Sequence, residues 1–423
     1  MASSSRHVVV VGSGIIGASC AAELTGRGFR VTLVDQALPG GTQAASYGNG
    51  AFLSPASIIP MSFPGMWRKI PGYLLDPLGP VAIRWRYLPR LLPWLWRYLL
   101  AGVTETRFRR TAGLLNALLR DGPDRHTRLA ALTGQEDLIH RKGLVYAFAD
   151  RAAYETEGLS WRVRRDNGIE TRELDRDALH ALIPDLAPSY GFGILVVQGA
   201  HCTDPGGYVA GIVSWCEGQG VRLTQGRVTG FLSEAGRLSA VCTDRETLPC
   251  DAVIIAAGAR SAALAKLAGD RVPLESERGY HVEIPNAGLG PEIPVMPQDG
   301  KMANTMTRGG LRASGQVELS ATDAAPDWRR ADVLLGHLMR TYPALAARRD
   351  ELVVNRWQGN RPSTPDGLPV IGRASGLKGV FHAFGHGHVG LASGPKTAEI
   401  VADLIEDKAV PAEIAAFSAR RFR

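Results

Sequence analysis

The stretch HVVVVGSGIIGASC, residues 7–20, predicts how this chain begins to fold. A run of valines leads into three glycines, Gly12, Gly14 and Gly17, and an apolar segment with helical spacing follows them. A strand, a glycine-rich turn and a helix in this order are typical of the βαβ unit that binds the pyrophosphate of a dinucleotide.

The glycines and the acidic residue of this unit each have a physical role. Gly12 permits the tight turn, Gly14 lets phosphate approach the backbone, and Gly17 lets the helix pack closely on the strand. The second strand, RVTLVDQ, ends at Asp35, 18 residues after Gly17. A carboxylate there can accept hydrogen bonds from ribose hydroxyls, so the stretch predicts a bound dinucleotide without choosing between NAD and FAD.

Composition limits the alternatives. A chain of 423 residues is too long for one small core, so we expect two domains. The net charge of +7 is spread along the chain without a basic tail, which argues against nucleic-acid binding. There is no apolar stretch of spanning length and no apolar signal core, so we expect a cytoplasmic protein. The five cysteines form no CxxC pair, so we expect reduced thiols and no metal site.

Three later stretches carry a resemblance to a known family. They are DAVIIAAGAR (251–260), NRPSTPDGLPVIG (360–372) and GVFHAFGHGHVGLASGPKTAEIVADLI (379–405). Together they resemble the FAD oxidoreductases of the D-amino-acid oxidase superfamily. The closing segment is similar to those of bacterial D-amino-acid dehydrogenases and of glycine and sarcosine oxidases, and SYGNGAFLSP (46–55) looks most like the dehydrogenases.

The resemblance implies an α/β fold with a Rossmann-type FAD-binding domain and a second, mixed-sheet α+β substrate domain. The FAD-binding domain is expected from residues 1–60, 196–270 and 356–423, and the substrate domain from residues 61–195 and 271–355. Within the latter, residues 276–285 and 309–320 are expected to be strands of a large sheet, and residues 327–345 a helix.

The resemblance also implies the residues that contact FAD. They are Gly12, Gly14, Ile16, Gly17, Asp35, Gln36, Ser46, Asn49, Gly50, Val228, Ala257, Gly258, His386, Gly387, His388, Val389 and Gly390. The FAD is expected to be non-covalent, because no cysteine follows Cys250 and no histidine lies within residues 40–55. The helix after Gly390 would direct its positive end at the flavin, where reduction places negative charge. His386 and His388 are expected to shape this site and not to act as bases. Two histidines separated by one residue and without carboxylate partners are also a poor metal site.

Three residues are candidates for the catalytic site. A planar guanidinium matches a carboxylate, and Arg361 stands where related enzymes bind the substrate carboxylate. Tyr280 and His281 lie where this family projects side chains over the flavin. Each of the three also has a purely structural alternative, as a turn-capping arginine or as core residues.

The family resemblance leaves the reaction partners open. The first hypothesis is oxidative deamination of D-amino acids, with hydride transfer from Cα to FAD and electrons passed to quinone or another carrier. The second is an O₂-using oxidase of glycine, sarcosine, D-proline, hydroxyproline or another amine. A flavin-binding subunit without its own turnover is a third, against which the presence of Arg361 argues.

Residues 67–100 interleave tryptophans and arginines in an unusual way. Tryptophan with arginine suits the membrane–water interface, so peripheral contact with the inner face of a membrane is one interpretation. Helices packed on the substrate domain are the other interpretation. Pro89 and Pro93 are expected to interrupt any long helix in this stretch.

Overall fold

The computed structural model of the chain describes residues 6–69, 76, 78, 79 and 81–423. The strands in these residues are β1 His7–Val11, β2 Arg30–Asp35, β3 Phe52–Leu53, β4 Val81–Ile83, β5 Ile139–His140, β6 Leu144–Phe148, β7 Thr171–Leu174, β8 Phe192–Val196, β9 Ala200–Cys202, β10 Arg222–Gln225, β11 Val228–Glu234, β12 Arg237–Thr243, β13 Thr247–Pro249, β14 Ala252–Ile255, β15 Glu275–Ile284, β16 Val295–Pro297, β17 Ala303–Thr307, β18 Gly310–Leu319, β19 Asn355–Ser363, β20 Val370–Arg373 and β21 Val380–Phe384. The helices are α1 Ile15–Gly26, α2 Leu88–Ala101, α3 Glu105–Leu119, α4 Gly122–Thr133, α5 Arg151–Glu155, α6 Gly158–Asp166, α7 Arg176–Leu182, α8 Pro205–Gly218, α9 Ser261–Leu267, α10 Arg329–Thr341, α11 Pro343–Ala346 and α12 Gly390–Ile405.

The first sheet has the strand order β10-β2-β1-β14-β21-β20, and every pair is parallel except β20 with β21. All five residues of β1 are buried, because helices cover the sheet and a parallel sheet covered on both faces favours continuous β-branched residues. Helices α1 and α12 pack against each other, and a Cβ on Gly394 would lie 3.0 Å from the hydroxyl of Ser19. This close packing brings the N-terminal unit and the C-terminal helix together.

The second sheet has the order β19-β15-β18-β17-β16-β6-β8-β7, and β4 pairs with β18. The predicted strands at 276–285 and 309–320 are confirmed as β15 and β18, and the helix predicted at 327–345 is confirmed as α10 followed by α11. The predicted domain boundary between residues 355 and 356 falls at the start of β19, which pairs along its length with β15 of this sheet.

Strand β15 lies between β19 and β18 and is buried from Ser276 to Ile284. Its successive side chains point to opposite faces of the sheet. Tyr280 and Val282 lie in the apolar core that includes Leu334 and Leu338 of α10. The opposite face carries Glu277, His281 and Glu283. Some of their neighbours belong to loops that follow strands of the first sheet, namely Gly48 beside His281 and His388 beside Glu277. We call this second face of the β19-β15-β18 strands the polar face.

Helix α2 differs from the expectation for its stretch. Pro89 lies in its first turn, where an N–H would lack an intrahelical partner in any case. Pro93 lies inside the helix, which nevertheless continues to Ala101, so the prediction that these prolines interrupt a helix was wrong. Leu91 and Trp94 are buried against Val317 and Leu319, and this packing outweighs the lost backbone hydrogen bond. Among the described residues, no helix is both long enough and apolar enough to cross a bilayer.

Candidate active site

The glycine turn after β1 leaves no room for side chains. Gly12 has φ +104°, and a Cβ there would overlap the carbonyl of Ala256 at the end of β14. A Cβ on Gly17 would overlap the carbonyl oxygen of Gly12. The turn therefore holds the N-terminus of α1 directly against the ends of β1 and β14.

The N-terminus of α1 is suited to bind an anion. The helix has no side-chain cap and no acidic residue in its first turn. The amide of Ile15 donates to the hydroxyl of Ser46 at 3.0 Å, while the amides of Ile16 and Gly17 point away from the helix body as first-turn amides do. Phosphate is the group that such a helix end recognises in dinucleotide-binding units.

Asp35 is fixed beside this turn. One carboxylate oxygen accepts hydrogen bonds from the amide and hydroxyl of Ser13, at 2.6 and 2.7 Å, and the other accepts from the amide of Gln36 at 2.6 Å. The amide of Gly226 donates to the carbonyl of Asp35 at 2.7 Å, which places Val228, two residues later, near the same strand end.

The turn that follows β14 also lies beside the end of β2. Gly258, at φ +53°, follows Ala257 and begins the turn that carries Arg260. Arg260 donates to the side-chain oxygen of Gln36 at 2.7 Å. Arg260 was not predicted as a site residue, because nothing in the local sequence distinguishes it from other surface arginines.

The loop of residues 46–50 lies against the polar face. The hydroxyl of Thr305 donates to the carbonyl of Gly50 at 2.9 Å, and Arg312 donates to the carbonyl of Asn49 at 3.2 Å. A Cβ on Gly50 would lie 2.8 Å from the Cβ of Ala303, so the loop and sheet are in close contact.

His281 is buried under this loop. Its Nδ1 lies 3.3 Å from the carbonyl oxygen of Gly48, and its ring stacks on Trp357 with centroids 5.1 Å apart. Burial and the charge of Arg312 lower the pKa of His281 to about 3, so the ring is neutral at pH 7. Trp357 was missed by the sequence analysis, although its position four residues before Arg361 places it on the same face of a strand.

Tyr280 lies on the other face of β15, away from His281. Its hydroxyl donates to Glu318 at 2.6 Å and accepts from the amide of Asp327 at 3.0 Å. Burial, followed by the bond to Glu318, raises the pKa of Tyr280 to about 12. The structure therefore separates this predicted residue from the other two and places it behind the sheet.

Arg361 lies on the polar face, on the edge strand β19. Its guanidinium crosses Gly279, where a Cβ would overlap it, and donates to the carbonyls of Gln316 at 2.9 Å and Gly315 at 3.3 Å. Burial lowers the pKa of Arg361 and the charge of Glu277 opposes this effect. An arginine remains protonated at neutral pH in either case, so this is a half-buried positive charge.

The glycine-rich loop before α12 meets β19 near Arg361. The amide of Gly387, at φ +49°, donates to the carbonyl of Pro362 at 2.8 Å. His386 is buried with Nε2 at 3.0 Å from the hydroxyl of Thr397, and burial lowers its pKa to about 3. Val389 precedes the first residue of α12, Gly390, and this helix again has neither a side-chain cap nor an acidic first turn.

His388 has a partner that the sequence did not reveal. Its Nε2 lies 2.7 Å from a carboxylate oxygen of Glu277, which is buried on the polar face directly opposite Arg361 in the strand register. Burial opposes ionisation of Glu277, but the hydrogen bond and charge of His388 and the charge of Arg361 outweigh it and lower the pKa of this carboxyl. The two residues are 111 positions apart, so no local pattern could show the pair.

Comparison with known proteins identifies the relatives of this chain. Residues 7–404 match the family described as FAD dependent oxidoreductase. A protein named D-amino-acid oxidase from Bradyrhizobium diazoefficiens is 45% identical over 99% of this chain and 99% of its own length. A protein named D-amino acid dehydrogenase from Cereibacter sphaeroides is 29% identical over 98% of this chain and 95% of its own.

Solved structures show the same architecture. Glycine oxidase from Bacillus cereus superposes with a TM-score of 0.72 at 18% identity, covering 97% of this chain and 99% of that chain. This likeness shows the fold, and it confirms the predicted α/β class with an FAD-binding unit. FAD is the cofactor of the family. The glycine turn, the uncapped helix ends of α1 and α12 and the acid at the end of β2 fit it.

The first prediction concerns the glycine turn. Gly17→Ala should abolish FAD retention and lower the melting temperature strongly, because its Cβ would overlap the carbonyl of Gly12. The measurements are flavin absorbance per protein after gel filtration and thermal unfolding. Gly26→Ala, in the last turn of the same helix with open space around it, is the control and should retain FAD. Normal flavin content in Gly17→Ala would contradict this account of the turn.

Proposed function

The chain belongs to the FAD-dependent oxidoreductases, and we propose from this premise that it oxidises D-amino acids to imines, which water hydrolyses to 2-oxo acids and ammonia. The single observation that carries this proposal is Arg361, a half-buried guanidinium held by backbone carbonyls on the polar face. The names of the relatives, a D-amino-acid oxidase and a D-amino acid dehydrogenase, support the choice of substrate class.

Arg361 is the group that we assign to the substrate carboxylate. Two of its N–H groups donate to carbonyls of β18, which fixes the guanidinium plane, and we assign its other N–H groups to the substrate carboxylate. Fixing the carboxylate orients Cα, and this positioning is most of what the protein must contribute. When bound, FAD accepts the hydride from Cα.

We assign the predicted FAD-binding residues to three parts of the cofactor. The first-turn amides of Gly14, Ile16 and Gly17, with Ser46, are assigned to the pyrophosphate. Asp35, Gln36, Val228, Ala257 and Gly258 surround the corner assigned to the adenosine. Asn49, Gly50 and the loop 386–390 are assigned to the isoalloxazine ring, and His281, neutral and buried beneath the 46–50 loop, supports that loop from the sheet. Attachment of FAD is non-covalent in this proposal.

Two electron acceptors are candidates. Quinone or another carrier is the first, and the similarity to relatives named dehydrogenases supports it. O₂ is the second, and the 45% identity to a protein named D-amino-acid oxidase favours it. The two acceptors differ in how the reduced enzyme is reoxidised, which makes them separable in one experiment.

That experiment mixes the protein anaerobically with D-amino acids, L-amino acids, glycine, sarcosine and simple amines, and follows flavin absorbance. We expect bleaching by D-amino acids. Fast recovery in air would then identify an oxidase, whereas slow recovery in air and fast recovery with a quinone would identify a dehydrogenase. Bleaching by glycine or sarcosine alone would show that these amines, and not D-amino acids, are the substrates. Bleaching by none of the compounds would overturn the proposed function.

The second prediction isolates Arg361. Arg361→Ala should raise KM for amino acids by about 30- to 160-fold, since a hydrogen-bonded contact between charged groups contributes about 2–3 kcal/mol. The visible spectrum of the bound flavin should be unchanged. Arg356→Ala is the control, because Arg356 lies on the same strand but is bonded to the exposed Asp332. An unchanged KM in Arg361→Ala would show that the carboxylate binds elsewhere.

We also propose peripheral contact with an anionic membrane through part of residues 67–100, of which 70–75, 77 and 80 lie outside the described residues. Trp85, Leu92 and Trp96 are 63%, 55% and 65% exposed, and the side chains of Arg86 and Arg90 are exposed beside them. Apolar rings flanked by cations match the interface of a bilayer that contains anionic lipid. Such contact would bring the flavin site to membrane quinone.

The third prediction tests this contact by liposome flotation. The protein should float with vesicles that contain phosphatidylglycerol, less with pure phosphatidylcholine, and less at high salt. A Trp85→Ser and Trp96→Ser double variant should stay at the bottom of the gradient. A Leu232→Ser and Leu267→Ser double variant, which removes exposed apolar groups elsewhere, should float like wild type. The proposal would be overturned if the protein did not float, or if its flotation were the same in every lipid, salt and variant condition.

A further inference from the structure

An amino acid at neutral pH presents a chemical obstacle to its own oxidation. Its nitrogen is an ammonium group with no free electron pair, whereas hydride loss from Cα requires that pair to form the imine. A proton must leave the nitrogen before or during the reaction. The site must therefore either accept neutral amines alone or hold a group that takes the proton.

His388 is the imidazole placed to take it. His281 is buried beneath the carbonyl of Gly48, and His386 is buried against Thr397. The side chain of His388, in contrast, is 36% exposed and lies on the loop whose backbone bonds to Pro362, the residue next to Arg361.

Glu277 determines which nitrogen of His388 is basic. A carboxylate that is ionised can only accept a hydrogen bond, so Nε2 of His388 carries the proton in this pair. The other ring nitrogen, Nδ1, then has the electron pair. A buried carboxylate that fixes the tautomer and orientation of an imidazole is the arrangement found in catalytic carboxylate–histidine pairs.

The charges of the site also match a zwitterion. Arg361 and Glu277 face each other across paired strands, so one positive and one negative group stand side by side on the polar face. An α-amino acid carries its carboxylate and its ammonium on one carbon. The other ionisable group on this face of β15 near the loop is Glu275, which accepts a hydrogen bond from Tyr87 at 2.6 Å.

We propose that Nδ1 of His388 accepts the proton of the substrate ammonium, and that Glu277 is the positioning residue that fixes the imidazole; this inference rests on the proposed function. The N–H bond breaks, its proton goes to Nδ1, and its electron pair remains on the amine nitrogen. That pair then forms the C=N bond as the hydride leaves Cα. Nε2 of the resulting imidazolium keeps its hydrogen bond to Glu277.

The experiment is anaerobic stopped-flow measurement of flavin reduction as a function of pH. His388→Asn should slow reduction about 100-fold or more at pH 7, in line with the usual contribution of a general base. The deficit should shrink as the pH rises toward the pKa of the substrate ammonium and should be lost above that pKa, since the amine then arrives neutral. Glu277→Gln should show a smaller deficit, about tenfold, with the same dependence on pH. His337→Asn, a histidine of α10 bonded to Arg340, is the control and should match wild type.

Binding gives a readout that is independent of turnover. The Kd of a carboxylic acid without an amine, measured by its perturbation of the flavin spectrum, should be unchanged in His388→Asn, because Arg361 holds the carboxylate. A deficit equal at all pH values, or a Kd weakened as strongly as the rate, would overturn the proposal in favour of a structural role. Reduction of wild type by no amine would overturn the proposed function as well, whereas equal rates in wild type and His388→Asn would overturn only the present inference.

Discussion

Burial of charge on the polar face of β15 is the constraint on which the arrangement of the site depends. An ion taken out of water is costly unless hydrogen bonds and opposite charge replace its hydration. Glu283 is satisfied by Arg312, whose guanidinium also holds the carbonyls of the 46–50 loop. Glu277 is satisfied by His388 of the loop before α12. The buried carboxylates of the large sheet thus fix the two loops that we assign to the flavin.

Arg361 differs from these pairs because its direct partners are neutral carbonyls. Its nearest opposite charge, Glu277, is directly opposite in the register, yet the carboxylate is hydrogen-bonded to His388 instead. The guanidinium is therefore oriented by backbone carbonyls, and no described residue forms a direct ion pair with it. In the proposed function, the carboxylate of the substrate supplies this opposite charge, so an amino acid would be preferred over an uncharged amine.

The sequence predicted the parts of the structure that local patterns encode. The spacing of Gly12, Gly14 and Gly17 reflects contacts within one turn, and β15 and β18 follow from runs of strand-forming residues. Because side chains alternate along a strand, the sequence could also have predicted that the adjacent residues Tyr280 and His281 point to opposite faces. The Glu277–His388 pair was not, since it depends on how β15 and a loop 111 residues away meet in space. The continuation of α2 through Pro93 was likewise decided by tertiary packing of Leu91 and Trp94.

The glycine-rich loop 386–390, which we assign to the flavin, is joined by a backbone contact to the strand that carries Arg361. Gly387 adopts a left-handed conformation and donates its amide to Pro362, so the loop follows the end of β19 at backbone distance. Arg361 therefore cannot move along the sheet without moving the loop that carries His388. Because α12 begins three residues after Gly387 and packs on α1, the same displacement would reach the glycine turn of β1. These contacts hold together three segments that are far apart in the sequence. In the proposed function, the relative placement of the substrate carboxylate, the amine and the flavin depends on all three.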